Sequence, residues 1–324
     1  MTGAFPTSQR DRDQWILAQR PPRNAVDVSR PYAFLAEEER AESGEVVSVA
    51  TIFLTNRECP WRCLMCDLWK NTVTETVPVG AIPAQIDYAL EQITARGDTP
   101  PPKQIKLYNS GSFFDPRAIP PADYPAIAGR VRGFERVIVE CHPALVGESA
   151  VRFRNLVGTK LEVAMGLETA HPDVLAKLNK RMTLEQFSHA AAFLKANDIA
   201  LRIFILVKPP FLDEAGSLHW ARRSLDFAFD CGATIASLIP VRGGNGALEA
   251  LAASGEFSPP KLATLEAAAE YGVGLRRGRV LADLWDLEKF SDCAACFPAR
   301  AARLQEMNLR QVVPERMACP CCRA

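Results

Sequence analysis

Three cysteines stand close together in the segment "NRECPWRCLMCDLWKN" (56–71), with the spacing C-x3-C-x2-C. Thiolates at Cys59, Cys63 and Cys66 can each bind one iron of a [4Fe-4S] cluster, which leaves the fourth iron without a protein ligand. An iron with an open position can coordinate a small molecule, as a catalytic zinc ion does. The spacing therefore predicts an open iron-sulfur site. A zinc loop with a distant fourth ligand and a chance grouping of buried cysteines are the alternatives.

A second cysteine group lies near the end of the chain. The segments "SDCAACFP" and "MACPCCRA" place two C-x2-C pairs at Cys293/Cys296 and Cys319/Cys322. Two such pairs predict a closed tetrahedral site of four thiolates, and we expect zinc there because such a site can fold a short segment that lacks a core. An auxiliary iron-sulfur cluster is the alternative, since the spare Cys321 could change the ligand set.

Short apolar segments alternate with segments of helical period between residues 46 and 241, and this order must position the first cysteine loop. The predicted strands are 46–55, 104–109, 136–141, 160–168, 200–207 and 234–241. The predicted helices are near 83–95, 121–132, 147–157, 183–197, 214–231 and 259–271. Apolar strands that alternate with helices predict a parallel sheet with right-handed crossovers. Six such units predict an α/β fold with a partial (β/α)6 parallel barrel, and a doubly wound sheet is the alternative.

Composition divides the chain into three predicted parts. We expect an N-terminal extension at 1–45, the partial barrel at 46–245, and a helical region with the four-cysteine metal site at 246–324. The chain has 38 Lys and Arg and 38 Asp and Glu, so its net charge of zero gives no long-range attraction for a polyanion. The beginning lacks a signal-peptide pattern and no apolar run could span a bilayer, so we expect a soluble, cytoplasmic protein without membrane contact.

Polar side chains stand at the carboxyl ends of three predicted strands, where parallel α/β folds bind their ligands. Glu140 ends one strand, Glu168 ends "MGLE", and Lys208 follows "FILV". Cys141 also lies at a strand end. Because successive strand residues face opposite sides, we expect Cys141 to point toward the helices as a small buried hydrophobe if Glu140 points into the barrel.

Several segments together resemble the radical S-adenosylmethionine superfamily. They are "ATIFLTNRECPWRCLMCDLWKN", "KLYNSGSFFDPRAIP", "VAMGLETAHPDVLAKLNKRMT" and "CGATIASLIPVRGGNGALEAL", followed by the paired cysteines. Within the superfamily the chain resembles the branch related to the catalytic subunit of Elongator. It looks most like the archaeosine-synthase radical subunit and its bacterial relatives, from about residue 30 to the end.

The resemblance implies that the first three cysteines hold a [4Fe-4S] cluster and that S-adenosylmethionine binds the open iron. In the superfamily, an electron from the cluster cleaves the cofactor and releases a 5'-deoxyadenosyl radical. The resemblance implies catalytic roles for Glu140 and Lys208. It implies cofactor contacts for Met65, which would lie against adenine, and for Asn109, Ser110, Gly111, Ser112 and Glu168. The loop "NSGS" departs from the superfamily's "GGE" form, and its side-chain oxygens stand where a glutamate is usual.

Archaeal members of this branch act on a tRNA base that carries a lysine adduct, and they break a carbon-nitrogen bond of the lysine. The resemblance thus implies tRNA modification, a companion transferase subunit, and a reductant such as ferredoxin or flavodoxin. A radical enzyme that acts on a small metabolite or peptide fits the neutral charge equally well. A non-catalytic iron-sulfur protein is the third hypothesis.

Overall fold

One curved sheet forms the centre of the computed structural model, which describes residues 5–97, 100–319 and 321. Its eight strands lie in chain order, the first antiparallel to the second and all later neighbours parallel. They are β1 (Ala33–Arg40), β2 (Val46–Leu54), β3 (Gln104–Asn109), β4 (Arg136–Glu140), β5 (Lys160–Glu168), β6 (Ala200–Val207), β7 (Ile235–Pro240) and β8 (Arg279–Ala282).

Helices connect the parallel strands and cover the outer face of the sheet. They are α1 (Gln9–Gln19), α2 (Ala81–Arg96), α3 (Tyr124–Val131), α4 (Glu148–Val157), α5 (Pro172–Lys177), α6 (Leu184–Ala196), α7 (Glu214–Asp230), α8 (Ala247–Ala253), α9 (Leu262–Leu275) and α10 (Phe297–Arg310). α6 begins at a capping box, in which the Thr183 hydroxyl and the Gln186 side chain each bond the other residue's backbone N–H. Within the described residues, no helix is both long and apolar enough to cross a bilayer.

The partial parallel barrel predicted from the sequence is confirmed. The six predicted strands correspond to β2 through β7, with ends that agree to within one residue. The sequence analysis missed the two edge strands. β1 and α1 lie in the part predicted as a loose N-terminal extension, and β8 lies in the predicted C-terminal region. One sheet therefore contains strands from all three predicted parts.

Charged side chains fill the inside of the barrel near the amino ends of its strands. Arg202 bonds Glu39 and Glu162 with N–O distances of 2.6 Å, and Lys106 bonds Glu39 at 2.6 Å. All four side chains are buried. Burial alone would raise the pKa of Glu39, but Arg202 and Lys106 lower it below its usual range. A cleft of about 1240 Å³ lies beside the amino ends of the strands, and a smaller cavity lies at their carboxyl ends.

Candidate active site

The cysteine loop crosses the carboxyl end of the barrel and is held there by two buried amides. The Asn245 Nδ2 atom donates to the carbonyl oxygens of Leu64 and Cys66, at 2.7 and 3.3 Å. The Asn179 Nδ2 atom donates to the carbonyl oxygen of Arg62 at 2.8 Å. These bonds satisfy backbone groups of an irregular loop and help to fix its position at the carboxyl end of the barrel.

A cavity of about 260 Å³ opens beside this loop. The predicted site residues that line it are Cys59, Cys63, Met65, Cys66, Ser110, Gly111, Glu140 and Glu168. These residues come from the cysteine loop and from the ends of β3, β4 and β5, so the fold gathers side chains that are more than 100 residues apart. The sequence predicted that this end of the sheet carries the site, and the cavity lies there.

The three thiols of the loop are neutral in the surroundings that the protein alone provides. Burial raises the pKa of Cys59, Cys63 and Cys66 to about 12 each. Iron or zinc binds the thiolate form and so compensates for this cost. The sulfur atoms of these three loop cysteines do not all lie within 4.8 Å of one another, in contrast to those of the C-terminal cysteines described below. This wider arrangement fits a cluster, in which each thiolate binds a separate iron, better than a single ion.

Gly111 brings the loop after β3 against the first cysteine. Its φ of +135° lies in a region that other residues rarely adopt. A Cβ atom at this position would lie 3.1 Å from the Cβ atom of Cys59 and 3.5 Å from its sulfur. Both the backbone conformation and the limited space beside Cys59 therefore require glycine here. A cluster bound to Cys59 would lie next to this loop.

A buried ion pair lies across the cavity from the cysteines. The Lys180 ammonium bonds the Glu168 carboxylate at 2.5 Å, and both side chains are buried. Burial alone would lower the pKa of Lys180, but Glu168 and the thiols of Cys63 and Cys59 raise it. A Cβ atom on Gly166 would overlap Glu168 and would lie 2.5 Å from the Lys180 nitrogen. The pair therefore depends on the glycine in β5.

Glu140 lines the same cavity with a carboxyl group that holds its proton at neutral pH. Burial raises its pKa to about 8, although its Oε2 atom accepts a hydrogen bond from the Asn109 backbone N–H at 3.1 Å. A carboxyl group in this state can donate a hydrogen bond to a ligand. Perturbed groups of this kind cluster in functional sites.

Trp61 and His142 form a flat wall of the cavity. Their rings stack with centroids 3.8 Å apart and planes 11° apart. The Nδ1 atom of His142 accepts from the Ala144 N–H at 3.2 Å, so the ring proton lies on Nε2, which donates to the Lys180 carbonyl oxygen at 3.0 Å. Burial lowers the pKa of His142 to about 4. The ring is therefore neutral and fixed, and it serves as a surface.

Arg20, at the end of α1, adds a positive charge to the cavity. Its guanidinium bonds Glu58 at 2.7 Å and lies 4.4 Å above the ring of Trp69. Its side chain is 9% exposed, and its Nε atom is buried without a hydrogen-bond partner among the described residues. Arg20 thus contributes a largely buried cation, paired with Glu58, to the wall of the cavity.

Three predicted site residues lie outside the cavity lining. The Lys208 ammonium bonds Glu214 at 2.8 Å and Ser258 at 2.7 Å. The Ser112 hydroxyl accepts from the His142 backbone N–H at 2.7 Å. The side-chain atoms of Asn109 are buried without a hydrogen-bond partner among the described residues. Structural roles explain the positions of Lys208 and Ser112 but not that of the Asn109 side chain. None of the three lines the cavity that contains the cysteines.

Cys141 is buried and belongs to the hydrophobic core, as predicted, but it also lines the cavity next to Glu140. Its thiol donates to the His142 carbonyl oxygen at 3.2 Å.

Lys180, Arg20 and Trp61 were not predicted as site residues. The sequence contains no spacing signal for Lys180 or Arg20, because only the fold brings them to the cavity.

The C-terminal cysteines also come together. The sulfur atoms of Cys293, Cys319 and Cys321 all lie within 4.8 Å of one another, and the first two are 3.9 Å apart. Cys321 was not in the predicted ligand set. Cys296 is buried, with its sulfur 3.9 Å from the Cys293 carbonyl oxygen, and Cys322 lies outside the described residues. The structure is therefore compatible with a metal site in this region.

No protein-family model matches the chain. Curated relatives match in sequence, and two of them are named archaeosine synthase subunit beta. The chain is 28% identical over 231 residues to the archaeosine synthase subunit beta of Methanosarcina acetivorans, covering 68% of this chain and 65% of that protein. It is 30% identical over 148 residues to the subunit beta of Thermococcus kodakarensis, covering 44% of this chain and 46% of that protein. The chain thus matches less than two thirds of the length of each of these relatives.

Solved structures share the fold. The Elp3 protein of Methanocaldococcus infernus, solved without residues 1–46, superimposes with a TM-score of 0.52 at 15% identity, over 70% of this chain and 59% of that one. Methylornithine synthase superimposes with a TM-score of 0.50 at 13% identity, over 85% of this chain and 72% of that one. The fold that the resemblance to the radical S-adenosylmethionine superfamily implies is confirmed. The predicted similarity to the archaeosine-synthase subunit is also found in the sequence comparison.

Proposed function

We propose that this chain is a radical S-adenosylmethionine enzyme that modifies a base of tRNA by breaking a carbon-nitrogen bond of a lysine adduct. The observation that carries the proposal is that Cys59, Cys63 and Cys66 line one cavity together with Glu140 and Glu168. Similarity to proteins named archaeosine synthase subunit beta supports the choice of tRNA.

In this proposal the three loop cysteines hold a [4Fe-4S] cluster, and the cavity beside them holds S-adenosylmethionine. When bound, the cluster would supply the electron that cleaves the cofactor to a 5'-deoxyadenosyl radical. Lys180 holds a positive charge near the thiolates, which favours an anionic cluster. Arg20, which also lines the cavity, is proposed to favour an anionic group of the ligand through its charge.

Glu168 and Met65 also line the cavity and are proposed to contact the cofactor, with Ser110 and Gly111 on the opposite loop. Glu140, which carries its proton at neutral pH, can donate a hydrogen bond to the substrate. The flat wall of Trp61 and His142 shields the cavity from water. In this proposal these residues bind and orient the cofactor and the substrate, and they exclude solvent from the cavity.

For the C-terminal cysteines we propose a structural zinc ion. Zinc–sulfur bonds of about 2.3 Å in a tetrahedron place the sulfurs about 3.8 Å apart, and the Cys293 and Cys319 sulfurs are 3.9 Å apart. Thiolates of an iron-sulfur cluster bind separate irons and are spaced more widely. The geometry therefore favours a single ion held by Cys293, Cys319 and Cys321, with Cys296 or Cys322 as the fourth ligand.

We further propose a cytoplasmic enzyme that works with a companion transferase subunit, because the relatives are named as subunits. A low-potential reductant such as ferredoxin or flavodoxin would supply the electron. A radical enzyme that acts on a small metabolite or peptide without RNA is the competing function, and the zero net charge fits it equally well.

The nucleosides of tRNA from a strain without this chain test the proposal. We expect one base to accumulate as a lysine adduct, and we expect purified holoprotein with its companion subunit to convert that tRNA. With deuterated lysine in the adduct, deuterium should appear in 5'-deoxyadenosine. An unchanged tRNA nucleoside profile together with an accumulating metabolite would refute the proposal and favour the competing function.

A further inference from the structure

Four aromatic rings connect the candidate site with the surface of the protein. Phe204 lines the cavity, and its ring centroid is 6.0 Å from that of Tyr108. Tyr108 lies 6.1 Å from Phe53, and Phe53 lies 6.4 Å from Trp285. Trp285 is 58% exposed. We call these four residues the aromatic path. It is continuous from the cavity to solvent.

The aromatic path crosses the open side of the barrel. Trp285 follows β8 and Tyr32 precedes β1, so the two residues flank the edge strands that do not pair with each other. Phe53 lies between them, with its ring 5.7 Å from that of Tyr32. At the other end of these strands the gap is bridged, because the Arg279 side chain donates to the Arg40 carbonyl oxygen at 2.8 Å. The aromatic path lies at the opposite, carboxyl end of the parallel strands, which is the end that carries the cavity.

The exposure of Trp285 does not result from a loose loop. The Arg242 guanidinium donates to the Trp285 carbonyl oxygen and also bonds the Asp283 carboxylate at 2.7 Å. The backbone N–H of Trp285 donates to Asp283 at 3.1 Å. A fixed backbone thus holds the indole ring out into solvent. The exposed indole ring is therefore available to stack on a planar ligand.

We propose that the aromatic path admits a planar nucleobase turned out of an RNA strand, with Trp285 stacking on that base or on its neighbour. This inference rests on the proposed function and assigns the residues that meet its substrate. A base inside a paired strand cannot reach a buried cavity until it is flipped out. Aromatic rings bind any base by stacking, and they need no basic surface to do so. This agrees with the zero net charge of the chain.

The test compares four holoproteins of equal iron content: wild type, Trp285→Ala, Trp285→Phe, and Leu156→Ala as the control. Leu156 is an exposed apolar residue of α4, 39% exposed, near the amino end of β5. The probes are an unmodified tRNA transcript that carries 6-thioguanosine and free guanosine monophosphate. Dissociation constants are measured for both probes, and ultraviolet crosslinks to the transcript are mapped by mass spectrometry.

We expect Trp285→Ala to weaken binding of the transcript about tenfold, which is the loss typical of one base-stacking contact. Trp285→Phe should restore most of the affinity, and Leu156→Ala should leave it unchanged. Crosslinks should fall on the peptides that contain Trp285 or Phe53. Equal transcript affinity for wild type and Trp285→Ala, with crosslinks elsewhere, would overturn the aromatic path while leaving tRNA as the substrate.

The remaining outcomes concern the proposed function itself. Binding of guanosine monophosphate but not of the transcript, with the same dependence on Trp285, would support the base site and refute a tRNA substrate. Binding of neither probe by the wild type would overturn both the aromatic path and the tRNA function.

Discussion

Substituting Gly166 by alanine tests the role of the buried ion pair in the candidate site. The added Cβ atom would overlap the Glu168 carboxylate and would lie 2.5 Å from the Lys180 nitrogen. Since ordinary contacts between such atoms are about 3.5 Å, the Lys180 ammonium has to move by about 1 Å. Both affected atoms are the ends of flexible side chains, so the pair can shift while the sheet keeps its hydrogen bonds.

The expected losses of stability and of cofactor affinity follow from this movement of the Lys180 ammonium. The free energy of unfolding should fall by about 1–3 kcal/mol, as is typical when a methyl group is forced into a packed site. If Glu168 contacts S-adenosylmethionine through a charged hydrogen bond, its loss should weaken cofactor binding by about ten- to hundredfold. We would measure cofactor affinity by equilibrium dialysis on anaerobically reconstituted protein, and the free energy of unfolding by urea denaturation.

The matched control is Gly129→Ala. Gly129 lies in α3, and a Cβ atom there would meet nothing within 4 Å. This variant should gain about 0.5–1 kcal/mol of stability, because alanine is the better helix residue, and should bind the cofactor normally. Wild-type cofactor affinity in Gly166→Ala protein with a full cluster would show that the Glu168–Lys180 pair does not hold the cofactor.

Three further predictions concern the loop, the acid and the tail. Gly111→Ala should lose most of its iron after reconstitution, because a side chain at φ +135° is strained and presses on Cys59; full iron content by metal analysis would contradict this. The free energy of unfolding of cluster-free wild type should fall as pH rises from about 6.5 to 8, because the carboxyl of Glu140, with its raised pKa of about 8, is protonated when folded and ionised when unfolded; below that range His142, with its lowered pKa of about 4, contributes a slope of the opposite sign. Glu140→Gln should flatten that slope in urea titrations at several pH values, and an unchanged slope would refute the assignment. Purified wild type should contain about one zinc and four irons per chain, and Cys321→Ala should lose zinc but keep iron; about eight irons would indicate a second cluster instead.

The sequence predicted the parallel strands well because each packs an apolar face against helices. β1 escaped detection for a physical reason. Its inward residues Glu37 and Glu39 are charged, and they are neutralised by Lys106 and Arg202 from distant strands. A strand whose inward face is ionic has no apolar alternation, so periodicity could not identify it.

The candidate site likewise contains some residues that the sequence predicted and others that it did not. Cys59, Cys63 and Cys66 were predicted because cluster binding imposes a spacing within one short loop. Arg20 reaches the cavity from α1, and Lys180 bonds a carboxylate twelve residues earlier in the chain. Nothing in the local sequence marks either residue, because their positions depend on how whole elements pack.

The alternation of side chains in β3 explains the placement of Asn109. Tyr108 belongs to the aromatic path, so its neighbour Asn109 faces the opposite side of the sheet. The sequence correctly predicted which loop meets the cysteines, since Ser110 and Gly111 line the cavity. It did not resolve which side chains of that loop point inward.

The central claim is that the three-cysteine loop holds a cluster that cleaves S-adenosylmethionine. Formation of 5'-deoxyadenosine by anaerobically reconstituted protein, with dithionite and S-adenosylmethionine, measures this most directly. We predict product from the wild type and none from Cys63→Ala prepared in the same way. Absence of product from wild-type protein with a full cluster, or undiminished product from Cys63→Ala, would contradict the claim.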